Sequence, residues 1–388
     1  MISITEAENI IKSSSITIET ESLDLMNSVD HYLSEPIFSP LNMPPFSQSA
    51  MDGYSICGSG NSYKVIGEIK AGDTHAHVLK NGEAFRIFTG AMIPSNTTSI
   101  AKQEIVERTN DTITLTELVN IGTSIRIVGE ELQKGDLVLQ KGTKLNAAAI
   151  GLLSGLGIQN VTVFKKPKIT LAITGDELTK QGEALLKGKI YESNSFTLQS
   201  ALLTLGFQSD IRFVKDDYFA TKDTINSVIE SSDLVIMTGG ISVGDYDFVG
   251  EALNELEVEQ KFYKVNQKPG KPLYYGEKGN TKIFALPGNP AAALTCFYIY
   301  VLTAIKTMMG ASNPNLIKTK VTLNHNHTKK GDRAHLLKAK LIGSEVEVHK
   351  GQSSAMLSSF VDANCLLYLS ATTNQVTKGS LVDIYLLP

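Results

Sequence analysis

Hydrophobic positions change their spacing several times along this chain. Between 168 and 309, the apolar runs KITLAIT, SDIRFV, DLVIMT, KFYKV and TKIFAL read as strands, and 193–205, 218–230, 246–256 and 290–309 read as helices. Strands that are apolar throughout, alternating with helices, predict a parallel sheet covered on both faces. Upstream, from 43 to 127, short runs are punctuated by Ala71-Gly72-Asp73, Asn81-Gly82 and Asn110-Asp111, the spacing of a small β domain. Segments 6–12 and 23–33 carry helical spacing, and Pro36, Pro40, Pro44 and Pro45 end it. A small-residue helix, AAAIGLLSGLG, follows Asn146. Beyond Ser312 the pattern returns to strand and turn, a small barrel-like β domain. The expectation is therefore a multi-domain α/β chain: a discontinuous helical linker domain (1–42 plus 128–165), a β domain (43–127), an α/β sheet domain (166–312) and a C-terminal β domain (313–388).

In a parallel sheet, ligands bind outside the carboxyl ends of the strands. Those ends carry Glu177, Asp216, a glycine-rich turn with Gly239, Gly240 and Ser242, then Asp247, the turn KPGKP and the tetrapeptide PGNP. Glycines let backbone N–H groups approach an anion closely. Glu177, Asp216 and Asp247 come from three strand ends, as a hard-metal or acid–base site requires, and Mg²⁺ binds through one or two carboxylates plus phosphate oxygens. Each alone reads rather as a turn or capping acid, and only the three together at one sheet edge point to a site. Lys264, Lys268 and Lys271 offer point charges to oxyanions, with Lys268 and Lys271 expected in the same cleft; solvated loop lysines are the other reading. Pro290 suits the first position of a helix, with Asn289 as its cap and Pro287 opening the turn.

A competing motif overlaps the glycine turn. Gly240-Ile241-Ser242-Val243-Gly244 matches the GxSxG of a serine hydrolase, between a strand and a helix. No oxyanion segment precedes it, and the histidines that would serve as base, His325, His327 and His335, fall in the β tail. His75 with His77, and His325 with His327, lack the further ligands of a metal site. No P-loop, dinucleotide fingerprint or HExxH occurs.

Composition removes several classes. The chain has 388 residues, 42% hydrophobic and 20% charged, with a net charge of −4. That balance argues against a broad nucleic-acid or membrane surface. Cys57, Cys296 and Cys365 have neither disulfide nor zinc spacing, which fits a reducing cytoplasm. The first residues show no basic region followed by an apolar run, so secretion is not expected. The apolar stretch 291–305 falls short of the roughly 18 residues of a membrane span and reads as a buried or interface helix.

The motifs PPFSQSAMDGYSI, GEIKAGD, GEAFRIFTGAMIP, GDLVLQKGTKL, ITGDEL, IYESNS, FVKDD, TGGISVGDYDF, KPGKP, LPGNP and GQSSAMLSSFVDANCLLYL occur here in one order. In them the chain resembles the molybdopterin molybdenumtransferase family, the MoeA and gephyrin E-domain proteins, over nearly its whole length. The resemblance implies a four-domain subunit, a cytoplasmic homodimer, and Mg²⁺-dependent use of adenylylated molybdopterin and molybdate with release of AMP. It implies functional positions at Asp52, Thr89, Glu177, Asp216, Asp247, Lys264, Lys268, Pro287 and Pro290, with Asp52 and Thr89 reaching the site from the partner chain. Molybdopterin adenylyltransferase and acceptor molybdoenzymes are the implied protein partners. Glu131 stands where the family has Asp. The alternatives are an adenylyltransferase-like pterin enzyme and a dimeric scaffold with a silent site.

Overall fold

The computed structural model describes residues 1–214, 217–239 and 248–388. The chain divides into two compact units: Met1–Ser34 with Lys141–Asn146 and Asn160–Pro388, and Glu35–Gln140 with Ala147–Gln159.

The first unit is built around a six-stranded sheet in the order Ser209–Val214, Ile169–Thr174, Leu234–Thr238, Thr281–Leu286, Tyr274–Lys278, Glu259–Tyr263. The first four strands are parallel. Every residue of Ile169–Thr174, Leu234–Thr238 and Thr281–Leu286 is buried, so these strands read as unbroken apolar runs. Successive side chains pack on opposite faces. Ile173, Ile236 and Phe284 meet Leu198 and Leu202 of the helix Asn194–Thr204 and Phe297 of the helix Pro290–Met308. Ala172, Met237 and Ala285 meet Ile225 of Tyr218–Ser231 and Leu253 of Phe248–Glu255. The Asp217 side chain starts one of these helices by accepting from Ala220 N–H at 2.9 Å.

Two expectations change. The sheet is mixed, because Tyr274–Lys278 and Glu259–Tyr263 run antiparallel at one edge. The strand Tyr274–Lys278 escaped notice because its charges are answered inside the fold. Lys282, fully buried on the neighbouring strand, donates to the Tyr275 hydroxyl at 3.1 Å and lies 3.4 Å from Glu277. The expected helix at 23–33 is absent. Thr20–Asp24 is a strand paired antiparallel with Asn160–Phe164, and the Asp24 side chain then turns the chain by accepting from Asn27 N–H at 3.1 Å. Partnership with a distant strand overrides local helical spacing there.

The same unit ends in a closed five-stranded barrel: Ala334–Ile342, Glu345–Val348, Lys318–Leu323, Leu381–Leu386 and Cys365–Leu369, the last returning to the first. Its interior holds Leu337, Val346, Leu367 and Ile384. The short strand Gln267–Lys268 pairs in parallel with Ala334–His335, which joins the KPGKP turn to the barrel. The helix Pro290–Met308 is long and apolar enough to cross a membrane, but 83% of its apolar window is buried inside the protein.

The second unit carries a six-stranded sheet in the order Ser99–Lys102, Gly53–Ile56, Glu83–Ile87, Ser62–Ile69, Thr112–Leu115, Val106–Thr109. Its core includes Ile69, Ile87 and Ile100 on one side and Ile56, Tyr63 and Ile113 on the other. The helix Ala147–Gly155 belongs to this unit.

Candidate functional site

From Ile169–Thr174 the chain crosses to Ser209–Val214 on one side, then returns to Leu234–Thr238 on the other. The order reverses between Thr174 and Thr238, the place where open parallel sheets receive ligands. Thr174 ties the two strand ends by donating its hydroxyl to Thr238 O at 3.2 Å. Gly239 follows at φ +85°; a Cβ there would stand 2.5 Å from Thr174 O and 2.8 Å from its Oγ1. Only glycine fits that close approach.

A cleft of about 640 Å³ opens at these ends, lined by Glu177, Asn194, Gly239 and Pro287-Gly288-Asn289-Pro290 among others. Two carboxylates sit in its wall with different commitments. Glu192, 3% exposed, accepts from Ser195 N–H at 2.7 Å and from Ser195 Oγ at 2.5 Å, and so caps the helix Asn194–Thr204. Glu177 is exposed, and its side chain makes no hydrogen bond with a described residue. Its oxygens lie 2.8 and 2.9 Å from where a Cβ of residue 175 would be, so the carboxylate folds back over Gly175. Asn194 donates to Gly288 O at 2.8 Å, while its buried Oδ1 has no partner among the described residues. Glu192 and Asn194 were missed from sequence as site residues, although both stand in the quoted IYESNS. A separate, larger cavity of about 810 Å³ lies at the amino ends of the strands, between Lys168 and Arg212. That is the wrong end of a parallel sheet for its usual ligands.

Glu177, Gly239, Pro287 and Pro290 are thus brought together. Asp216, Gly240, Ser242 and Asp247, with the GxSxG motif, lie outside the described residues. No group of three or more His, Cys, Asp or Glu able to hold a metal ion occurs among the described residues. Lys264, Lys268 and Lys271 do not line this cleft. The Lys264 ammonium lies 4.6 Å from the centre of the Tyr263 ring.

Lys268 lines a third cavity, of about 240 Å³, with Pro269, His327, Lys330, His335 and Gln352. Its position follows from the ladder between Gln267–Lys268 and the barrel strand. His335 is 7% exposed, and its pKa is pushed down to about 4 by burial and then by Lys268, Lys329, His327 and Arg333. The Gln352 amide is spent on Lys338 O at 2.8 Å and His349 O at 2.9 Å. Between the two sites runs buried Gln267, which donates to Gly270 O at 3.2 Å and accepts from the Tyr300 hydroxyl. Gly270, at φ +83°, would place a Cβ 2.5 Å from Cys296 Sγ.

In the second unit, Gly53 pairs with Ile87, which sets Asp52 beside the turn after Glu83–Ile87. Asp52 accepts from Thr89 N–H at 2.8 Å and from its hydroxyl at 2.7 Å. These two bonds, then Arg86, hold the Asp52 carboxyl below its usual range. Arg86 itself donates to Gly53 O at 3.0 Å and to Gln103 at 2.8 Å.

Comparison with known proteins gives matches along nearly all the chain. Residues 2–157 match the MoeA N-terminal region (domain I and II), 171–307 a probable molybdopterin binding domain, and 320–387 the MoeA C-terminal region (domain IV). The molybdopterin molybdenumtransferase of Haemophilus influenzae is 34% identical over 381 residues, covering 94% of this chain and 93% of that protein. The one from Staphylococcus aureus is 31% identical over 401 residues, covering 99% and 95%. Among solved structures, the molybdopterin biosynthesis moeA protein of Pyrococcus horikoshii OT3 is similar over 100% of both chains, with a TM-score of 0.86 at 28% identity.

Proposed function

This chain belongs to the MoeA family of molybdopterin molybdenumtransferases, enzymes of molybdenum cofactor biosynthesis, and we propose that it transfers molybdenum from molybdate to adenylylated molybdopterin with Mg²⁺-dependent release of AMP. The observation that carries this reading is the cleft at the strand-order reversal, where Glu177, Gly239, Pro287 and Pro290 converge.

In this reading the pterin and its phosphate lie in that cleft. Gly239 gives the phosphate a close backbone approach, and Asn194 holds the Pro287-Gly288 turn in place through Gly288 O. The donor chemistry fits Mg²⁺: Glu177 is a hard oxygen ligand with no hydrogen bond to another described residue, and magnesium takes carboxylate and phosphate oxygens. Asp216 and Asp247 complete the proposed ligand set on the sequence argument. When bound, the metal supplies Lewis-acid stabilisation of the charge that leaves on AMP. Lys264, Lys268 and Lys271 serve the oxyanion, with Lys268 in the cavity beside the barrel. Asp52 and Thr89 act from the partner subunit of a cytoplasmic homodimer, with the adenylyltransferase and acceptor molybdoenzymes as its other partners.

The test is AMP release from adenylylated molybdopterin, with and without molybdate and Mg²⁺, in wild type, Glu177→Gln and Asp247→Ala. Dependence on both ions, lost in either variant, is the expected result. Release indifferent to molybdate would point to pterin hydrolysis, and no release under any condition to a scaffold.

A further inference from the structure

We propose that His335 completes the oxyanion site beside Lys268, binding a tetrahedral dianion of the molybdate type and taking up a proton as the anion enters. This rests on the reading of Lys268 as an oxyanion ligand and adds to it a residue from the barrel and a linkage to pH.

The geometry comes first. The strand pair Gln267–Lys268 with Ala334–His335 sets Lys268 and His335 directly opposite each other in register. Both line the same 240 Å³ cavity, a volume suited to a small ion and too small for a pterin nucleotide. His335 is 7% exposed, yet neither ring nitrogen makes a hydrogen bond with a described residue. Its ring nitrogens keep some exposure, so water satisfies them until a partner enters the cavity.

The charges around His335 explain what that partner is. Lys268 faces it from the turn. His327, Lys329 and Lys330 approach from the segment before the barrel strand, and Arg333 stands two residues upstream. Lys329 is fixed by donating to Gly331 O, Arg333 O and Ala371 O at 2.9 to 3.0 Å. Across the neighbouring strand His335 meets Leu369, which is uncharged. No carboxylate lines the cavity among the described residues. The site therefore gathers cations and one neutral buried imidazole with no counter-charge, an arrangement that favours an anion and disfavours any metal ion.

The pH linkage follows from the same surroundings. With the cavity empty, His335 holds its proton only below about pH 4. A dianion at hydrogen-bond distance reverses the local field, and an opposite charge that close raises a pKa by about one to three units. Between the two values binding draws in a proton. Affinity is then greatest below the raised pKa and falls as pH rises through it.

The experiment is calorimetric titration of the full-length wild type with molybdate at pH 6 and pH 8, each in two buffers of different ionisation enthalpy, with phosphate and sulfate as competitors. We expect net proton uptake at pH 6, affinity up to about tenfold tighter at pH 6 than at pH 8, and loss of both effects in His335→Gln with binding retained at pH 8. Lys268→Ala should abolish binding at either pH. Wild-type binding without proton uptake, or uptake that persists in His335→Gln, overturns the role of His335 and leaves the Lys268 site standing. Absence of binding by molybdate, phosphate and sulfate alike overturns the oxyanion reading itself. Proton uptake absent from the wild type overturns the role of His335 without any variant, and His335→Asn serves as the second variant should His335→Gln fail to fold.

Discussion

Both hydrogen bonds from Thr89 to Asp52 end on the same carboxylate oxygen, Oδ1. One donor is the backbone N–H, which every substitution but proline keeps, while the other is the hydroxyl. Thr89→Ala should therefore raise the Asp52 pKa toward its ordinary value without abolishing the turn. AMP release should fall by at least about tenfold, because a loosened carboxylate loses its orientation. Thr89→Ser should keep most activity. Carboxyl titration by NMR, alongside the turnover assay, checks both.

Gly239→Ala should damage fold and cleft together. The added Cβ meets Thr174 O at 2.5 Å, and φ is +85°. Backbone strain of this kind costs about 1–3 kcal/mol. Urea denaturation should show the loss, and pterin binding should weaken beyond what the stability loss explains.

Glu8 gives the fold a pH dependence of its own. Burial raises its pKa from 4.5 to about 7, against the opposing pull of Lys12 and Lys318. The folded state thus holds a proton that the unfolded chain releases. This stabilising contribution is complete below pH 4.5 and is lost as pH rises through 7. Glu8→Gln should remove that slope and stabilise the protein at pH 8 by roughly 3 kcal/mol. Thermal melts from pH 5 to 8 would reveal it; equal slopes in both proteins would contradict it.

Lys338→Met should loosen the tail loop that reaches the cleft. The Lys338 ammonium, 2% exposed, donates to Gly351 O, Ser353 O and Met356 O. The same loop gives Ser354 O to Ala292 N–H at 3.1 Å and places Ala355 in the cleft wall. Three orphaned carbonyls should cost about 2–4 kcal/mol, measured by denaturation, with a raised KM for the pterin.

How far the sequence reveals this architecture depends on where each residue finds its partners. Ile169–Thr174, Leu234–Thr238 and Thr281–Leu286 were legible because burial on both faces leaves an unbroken apolar run. Tyr274–Lys278 was not, since Glu277 and Lys278 read as a solvated turn until Lys282 and Lys261 are seen beside them. The strand Thr20–Asp24 depends on Asn160–Phe164, a pairing with no local trace. In the cleft, Glu177, Gly239, Pro287 and Pro290 were legible because strand ends announce themselves. His335 was named only as a base for a hydrolase. Its relation to Lys268 passes through a ladder between distant segments, which spacing cannot express.

The helix Pro290–Met308 begins in the wall of the cleft and runs back through the core. There Tyr300 and Cys296 meet Gln267 and Gly270, at the base of the turn that carries Lys268. The separation of cleft and cavity is consequently a property of a packed helix, like the span of a ruler, and not of any loop. A deep-core change such as Tyr300→Phe touches neither site, yet it removes the hydroxyl that Gln267 accepts from, beneath the turn that carries Lys268.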